Sequence, residues 1–352
     1  MGGTPDLPTG LSTAPGDLPL ESVDDAVDLA LDGREFPSVP VLPGPISSLL
    51  AQAVTPMAGV HVLPTGTLRV DVARFGVRSD LTDDLARDPA AHLGGASATA
   101  LVRMLQRWPE VAATRADVRA LRVDVAGPVT VALALVAAGV PHATALDAAR
   151  LVGAQRARSI VAAVRAVEPA LPLALVMGEP RLVGSMHPTF PLTVRQVRSL
   201  LDPVVDALDD ASTAEAPVLI GIHVPGRSDW QTIISSGVSM LSMPPDPCVV
   251  GWAPSVQALL DNGGWIAWGA VPVDRPLGTS EELLWRQLSA TWRDLVAAGV
   301  DPAMLRERCM VGPADGLGRF GVEQIAGIRG LVDALGERVR LQVMGTRLGL
   351  GA

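Results

Sequence analysis

The residues best suited to chemistry in this chain lie at or directly after short apolar runs. His223 ends one such run, Glu179 follows another, and Asp315 follows a third. Histidine titrates near neutral pH and binds metals, and carboxylates accept protons or ligate cations. Two hydroxyl residues, Ser12 and Thr13, follow the first run and could bind a polar substrate. We therefore interpret these five residues as candidates for proton transfer, substrate binding or part of a metal site.

The elements that must position these residues form an alternating pattern of short apolar runs and longer amphipathic segments. This alternation predicts βα units and a parallel sheet. The predicted strands are 10–14, 60–63, 121–126, 173–177, 218–224, 239–243, 265–270 and 309–312. Eight such strands predict an α/β fold with a single (β/α)₈ barrel of the TIM type, in which strand carboxyl ends converge on one face. Further polar residues at those ends are Asp17, Asp124, Asp246, Asp274 and Arg275, together with the segment from His223 to Asp229.

The chain divides into three segments by composition. Residues 1–8 are predicted to be a loose terminus, 9–336 the barrel, and 337–352 a tail with an extra strand at 340–344. The predicted helices are 21–31, 97–108, 145–167, 194–208, 253–260, 281–298 and 322–335. For helix 281–298, Thr279 and Glu282 fit a capping box and Gly299 fits a left-handed stop. Residues 68–72 could pair with 60–63 as a hairpin.

Composition excludes several classes of function. The net charge is −9, so nucleic acid is not an expected partner. All basic residues are Arg and there is no Tyr, which excludes Schiff-base lysines and tyrosine acids. The two cysteines, Cys248 and Cys309, form no CxxC pair. There is no apolar run of about 20 residues and no basic, apolar start, so we predict no membrane partner and a cytoplasmic location.

Several motifs together resemble a known superfamily. They are Thr9 to Gly16, Phe36 to Pro43, Gly127-Pro128-Val129-Thr130, Gly178-Glu179-Pro180, Ile222-His223-Val224-Pro225 and Pro313-Ala314-Asp315-Gly316-Leu317. In this order they are similar to motifs of the barrel superfamily of cobalamin-independent methionine synthase and uroporphyrinogen decarboxylase. The likeness covers nearly the whole chain. It is closest to short actinobacterial proteins that match the catalytic half of the synthase.

The resemblance implies methyl transfer to a thiol such as homocysteine, with zinc held by one His, two Cys and one Glu. Of these ligands only His223 is retained. The cysteine positions are Pro225 and Asp315, and the glutamate position falls near Met243. The aspartate that would hold the substrate amine is Gly178, and no histidine follows Trp268 before Arg275. No cofactor is therefore expected, and zinc would need a site rebuilt from His223, Asp315 and Asp246.

Three hypotheses remain open on the sequence alone. The first is a methyltransferase-like enzyme, as the resemblance implies. The second is a non-catalytic relative, or pseudoenzyme, that binds a small ligand at the barrel mouth or a protein partner on its surface. The third is a metal-free enzyme that uses Glu179 as base and His223 as acid or base. Whether the chain is an enzyme is left open at this point.

Overall fold

The fold is known from a computed structural model that describes residues 5–77, 93, 98–274 and 280–347. The strands are β1 Leu11–Ser12, β2 Met57–Ala58, β3 Val60–Val62, β4 Leu68–Val70, β5 Gly76–Val77, β6 Leu121–Ala126, β7 Leu173–Gly178, β8 Val218–His223, β9 Met240–Met243, β10 Trp265–Val271 and β11 Cys309–Pro313. The described helices are α1 Val23–Leu31, α2 Leu49–Val54, α3 Thr99–Thr114, α4 Pro128–Ala137, α5 His142–Val167, α6 Val194–Asp209, α7 Trp230–Ile234, α8 Ala253–Asp261, α9 Glu281–Ala297, α10 Pro302–Glu307 and α11 Val322–Arg347.

Seven strands form one curled parallel sheet in the order β1-β11-β10-β9-β8-β7-β6. All pairings in this sheet are parallel, and the helices alternate with its strands along the chain. The mixed α/β, TIM-type architecture predicted from the sequence is therefore confirmed. All the strand carboxyl ends consequently open on one face.

Residues 37–41 close the barrel between its two edge strands. The Val39 amide donates to the Arg122 carbonyl at 2.8 Å on one side, and the Val41 amide donates to the Gly16 carbonyl at 2.8 Å on the other. Parallel bridges join Ser38 to Arg122 and Asp17 to Val41. This segment takes the place of the second barrel strand. A Cβ at Gly16 would lie 2.1 Å from the Val39 carbonyl oxygen, so a side chain there would force the closure apart.

The sequence prediction that 60–63 is a barrel strand is wrong. Val60–Val62 pairs antiparallel with Leu68–Val70 in a separate two-stranded sheet. The β-branched residues are the same in a hairpin and in a barrel strand, whereas Pro37 and Pro40 within segment 37–41 argue against a strand there. The alternative hairpin with 68–72 is confirmed over the shorter strand Leu68–Val70.

The apolar core has two layers, one on each side of the sheet. The barrel interior holds a small cluster that includes Leu11, Val176, Leu219, Trp265 and Met310. A much larger cluster joins the outer face of the strands to the surrounding helices. Alternation along each strand thus sends every second residue inward. The residues at the inner positions of the strand ends are the ones that can reach the barrel mouth.

Inside the barrel lies a buried ion pair. Arg122 is fully buried and donates from Nε and Nη2 to Asp124 Oδ1 at 3.0 and 2.8 Å. Its Nη1 donates to the Thr13 hydroxyl at 2.9 Å, and the Gly16 amide donates to Asp124 Oδ2 at 2.8 Å. The pair therefore ties β6 to the turn that follows β1, across the closing segment.

Two helices differ from their predictions. Residues 340–344 lie inside α11 and not in a strand, because α11 continues through Arg347. The cap of α9 is the Ser280 hydroxyl, which accepts from the Leu283 amide, and not the predicted Thr279. Gly299 adopts a φ of +102° after the end of α9, as predicted. Thr279 lies outside the described residues. None of the described helices combines the length and apolar character needed to cross a bilayer.

Candidate functional site at the barrel mouth

His223 occupies the mouth of the barrel at the carboxyl end of β8. In the β8–β9 register it pairs with Ser242, and the Ser242 hydroxyl lies 2.9 Å from His223 Nδ1. On the other side of the ring, Nε2 lies 3.4 Å from Oδ1 of Asp315, which follows β11. The His223 side chain thus reaches across the mouth between strands that are not neighbours in the sheet. Both His223 and Ser242 are buried, whereas Asp315 is exposed to solvent.

The partners of His223 define which ring nitrogen carries the proton when the imidazole is neutral. Burial alone would raise the pKa of Asp315, but hydrogen bonds from His223 and from the Gly316 amide lower it below its usual range. Ionised Asp315 can only accept, so Nε2 must donate. Nδ1 must then accept, and the Ser242 hydroxyl donates to it. Ser242 and Asp315 therefore stabilise the tautomer of His223 that carries its proton on Nε2.

We predict that Asp315→Asn allows both tautomers of His223 and that Ser242→Ala keeps the proton on Nε2. The carboxylate is the partner that requires a proton on Nε2, whereas an Asn side chain can donate as well as accept. In ¹⁵N NMR spectra at a pH where His223 is neutral, Nε2 of the parent protein and of Ser242→Ala should carry the proton. A proton on Nδ1 of the parent protein would contradict the assignment.

A second carboxylate, Asp17, lies beside this pair. A Cβ built on Gly316 would lie 2.6 Å from Asp17 Oδ2, and the Gly316 amide donates to Asp315 at 2.8 Å. Because Gly316 has no side chain, the carboxylates of Asp17 and Asp315 can both lie next to its backbone. Burial raises the pKa of Asp17 to about 6, and the negative charges of Asp124 and Asp315 add to the increase. Two neighbouring carboxyl groups with pKa values moved in opposite directions suit an acid and a base.

An open cavity of about 990 Å³ extends from this point over the ends of β8 to β11 and toward α9. Asp17, Asp315 and Gly316 line one part of it, and Arg227 and Asp246 line another. Its walls include Pro225, Pro244, Pro245, Pro247 and Pro272. A cavity of this size holds a metabolite-sized ligand, and the proline walls restrict how far the surrounding loops can relax.

Glu179 does not face this cavity. It is fully buried, and its carboxylate accepts from the Val129 amide at 2.8 Å and from the Thr130 amide and hydroxyl at 2.7 and 2.6 Å. The carboxylate thus satisfies the amino end of α4. A Cβ at Gly127 would lie 2.2 Å from Glu179 Cδ, which explains the glycine there. Two of the motifs found in the sequence, 127–130 and 178–180, therefore contact each other through the Glu179 carboxylate.

Glu179 gives the protein a pH-dependent stability. Burial raises its pKa from 4.5 to about 7 despite the three hydrogen bonds. Between those values the folded chain keeps a proton that the unfolded chain has released, so stability falls as the pH rises and levels off above about 7. The fall amounts to roughly 3–4 kcal/mol at about 1.4 kcal/mol per pKa unit.

We predict that Glu179→Gln flattens the upper part of this dependence. Asp17 contributes a fall of the same sign, but its pKa is about 6, so the change between pH 6 and 7 belongs mainly to Glu179. The measurement is urea unfolding at a series of pH values, with the exposed Glu215→Gln as the control. An unchanged slope in Glu179→Gln would contradict the assignment.

The other predicted substrate-binding residues lie apart from the cavity. The Ser12 hydroxyl donates to Asp333 of α11 at 2.7 Å, outside the barrel. Thr13 is buried and accepts from Arg122. Of the five initial candidates, the structure brings His223 and Asp315 together. It adds Asp17, which the sequence placed at a strand end without a signal that singled it out.

The residues at the mouth do not fit the zinc site that the resemblance implies. Both nitrogens of His223 already have protein partners. Met243 belongs to the outer apolar cluster and not to the barrel interior, and Pro225 carries no ligand atom. In the part of the chain that the structure describes, no group of three or more His, Cys, Asp or Glu side chains could hold a metal ion.

Comparisons with known proteins leave the family open. No protein-family model matches the chain, and neither does any curated protein. Among solved structures, the chain is similar to a Bacteroides thetaiotaomicron VPI-5482 protein described as a "putative alpha-L-fucosidase", with 10% identity, a TM-score of 0.35 and coverage of 94% of this chain and 95% of that one. A likeness at this level assigns neither a family nor an activity to this chain.

Proposed function

We propose that this protein is a metal-free enzyme that transfers protons to and from a small polar molecule bound in the mouth cavity. Asp17 is the acid, since it holds its proton up to a pH of about 6. Asp315, whose pKa is lowered by hydrogen bonds from His223 and the Gly316 amide, is the base. His223 is the positioning residue, since Ser242 and Asp315 occupy both of its ring nitrogens. This changes the third hypothesis, in which Glu179 was the base, because Glu179 is enclosed at the end of α4.

One observation carries the proposal. Two carboxylates from separate parts of the chain, Asp17 after β1 and Asp315 after β11, line one open cavity at the same point. His223, which ends β8, is buried directly behind Asp315 and contacts its carboxylate. A structural ion pair needs two groups, whereas a site for proton transfer needs a donor and an acceptor that face a bound molecule.

The test uses the whole protein in D₂O with a filtered small-molecule extract of bacterial cells. Mass spectrometry follows the abundance and deuterium content of each compound. The proposal expects at least one compound to change with the parent protein, with and without EDTA, and not with Asp17→Asn. If no compound changes, or if the change requires zinc, the proposal fails.

Methyl transfer to a thiol, which the resemblance implies, is the second candidate function. The observation in its favour is the retained His223 at the position expected for a zinc ligand. It requires stoichiometric zinc in protein purified without chelators, lost in His223→Ala, and homocysteine binding by calorimetry. Absence of both would remove this candidate.

A non-catalytic relative would give a third pattern. It would bind a compound from the same extract in the cavity without altering its abundance or its deuterium content. Ligand-observed NMR on the same samples separates this result from turnover, because binding broadens the signals of the compound whether or not it reacts.

A further inference from the structure

Arg227 lies at the rim of the mouth cavity, and contacts with the rest of the protein orient it. Its Nε donates to Asp246 Oδ2 at 2.8 Å, and its carbonyl accepts from the Gly184 amide at 2.8 Å. Asp246 is itself held, because its Oδ1 accepts from the Cys248 amide at 2.8 Å at the start of the 3₁₀ turn Pro247–Trp252. The backbone and the side chain of Arg227 are therefore both fixed.

The contact with Asp246 leaves the outer edge of the guanidinium open. The bond uses Nε alone, and within the described residues neither Nη1 nor Nη2 has a hydrogen-bonding partner. The Arg227 side chain is 66% exposed, whereas Asp246 beneath it is only 16% exposed. The hydrogen bond to Asp246 raises the pKa of Arg227, so the group stays charged. The outer edge of this guanidinium presents two parallel N–H groups, a charged fork that matches the two oxygens of a carboxylate or phosphate.

We infer that Arg227 anchors an oxyanionic group of the ligand, which would make the substrate class small organic acids or phosphate esters. This inference rests on the proposed function, since it places the ligand's anionic end at Arg227 and its reacting end near Asp17 and Asp315, which line the same cavity. Asp246 is the positioning residue. Because the fork is held before the ligand arrives, less side-chain freedom is lost on binding.

The competing explanation is that Arg227 and Asp246 form an ordinary surface ion pair. The two explanations differ in what Asp246→Asn does. If charge alone matters, removing a negative charge beside Arg227 tightens anion binding. If the orientation of the fork matters, the same change weakens binding, because Arg227 loses the contact that holds it.

The experiment titrates the whole protein with inorganic phosphate and, separately, with succinate, followed by the side-chain NMR signals of Arg227 and by calorimetry. The anion that binds more tightly identifies the ligand chemistry as phosphate or carboxylate. Arg227→Gln should weaken binding roughly 10- to 100-fold, the range for lost hydrogen bonds to a charged group. Arg227→Lys should recover only part of it, because a point charge replaces the fork.

Arg293→Gln is the matched control. It removes the same charge from an exposed position of α9 that does not line the cavity. Equal effects of Arg227→Gln and Arg293→Gln, tighter binding in Asp246→Asn, or unmoved Arg227 signals would each overturn the inference. The titration is repeated in Asp17→Asn. If Asp17→Asn still binds the anion and the parent protein turns over no compound, the proposed function is contradicted, whereas the inference that Arg227 binds an anion is not.

Discussion

Replacing Asp124 by Ala is expected to destabilise the protein by about 3–5 kcal/mol, the usual cost of leaving one member of a buried ion pair without its partner. Arg122 is fully buried and donates twice to this carboxylate, so its charge would have no counterion. The Gly16 amide would lose its acceptor as well. Urea unfolding at pH 7 measures the effect.

The chain contains a matched control for this prediction. Arg115 and Asp117 form an ion pair with the same residue types and the same spacing, but Asp117 is about half exposed. We expect Asp117→Ala to cost less than about 1 kcal/mol, because a surface pair is screened by water and salt. Similar losses in the two variants would mean that the interior pair does not hold the barrel closed.

Replacing Asp17 by Asn is expected to slow the reaction of the identified substrate about 100- to 10,000-fold, the contribution typical of a general acid or base. Asn fills similar space and can still form hydrogen bonds, but it cannot give up a proton. The rate of deuterium incorporation or of turnover in D₂O measures the effect. Substrate binding should change far less than the rate, since the anchor for the ligand is Arg227.

Asp206→Asn is the control for this second prediction. Asp206 is exposed on α6 and does not line the cavity. Its replacement should leave the rate unchanged. If both aspartate variants lose activity equally, the site does not lie where we place it. If Asp17→Asn keeps the full rate, Asp17 is not the acid.

Much of the fold follows from the pattern of apolar runs. Seven of the eight predicted strands lie in the barrel because buried parallel strands are continuous apolar runs that are easy to recognise. The second barrel position was misplaced because residues 37–41 pair through only a few backbone bonds at two edges. Such pairing depends on Gly16 and on the sheet around it, and neither leaves a periodic signal in the segment itself.

The site was harder to predict than the fold. The order of strands places His223 at the mouth, and the motif around Asp315 places that residue opposite. Glu179 looked equally suitable, since it follows a strand and precedes Pro180. What separates it from Asp17 is tertiary structure, because Glu179 turns into the amino end of α4 while Asp17 faces the cavity. Neither orientation can be read from residue types and spacing.

The account depends most on the two carboxylates at the mouth having different proton affinities. The measurement is a ¹³C NMR titration of the Asp17 and Asp315 carboxyl groups in the intact protein, assigned with Asp17→Asn and Asp315→Asn. We predict that Asp17 titrates with a midpoint near 6, while Asp315 stays ionised to below its usual range. Two carboxyl groups that titrate together near their ordinary values would contradict the account.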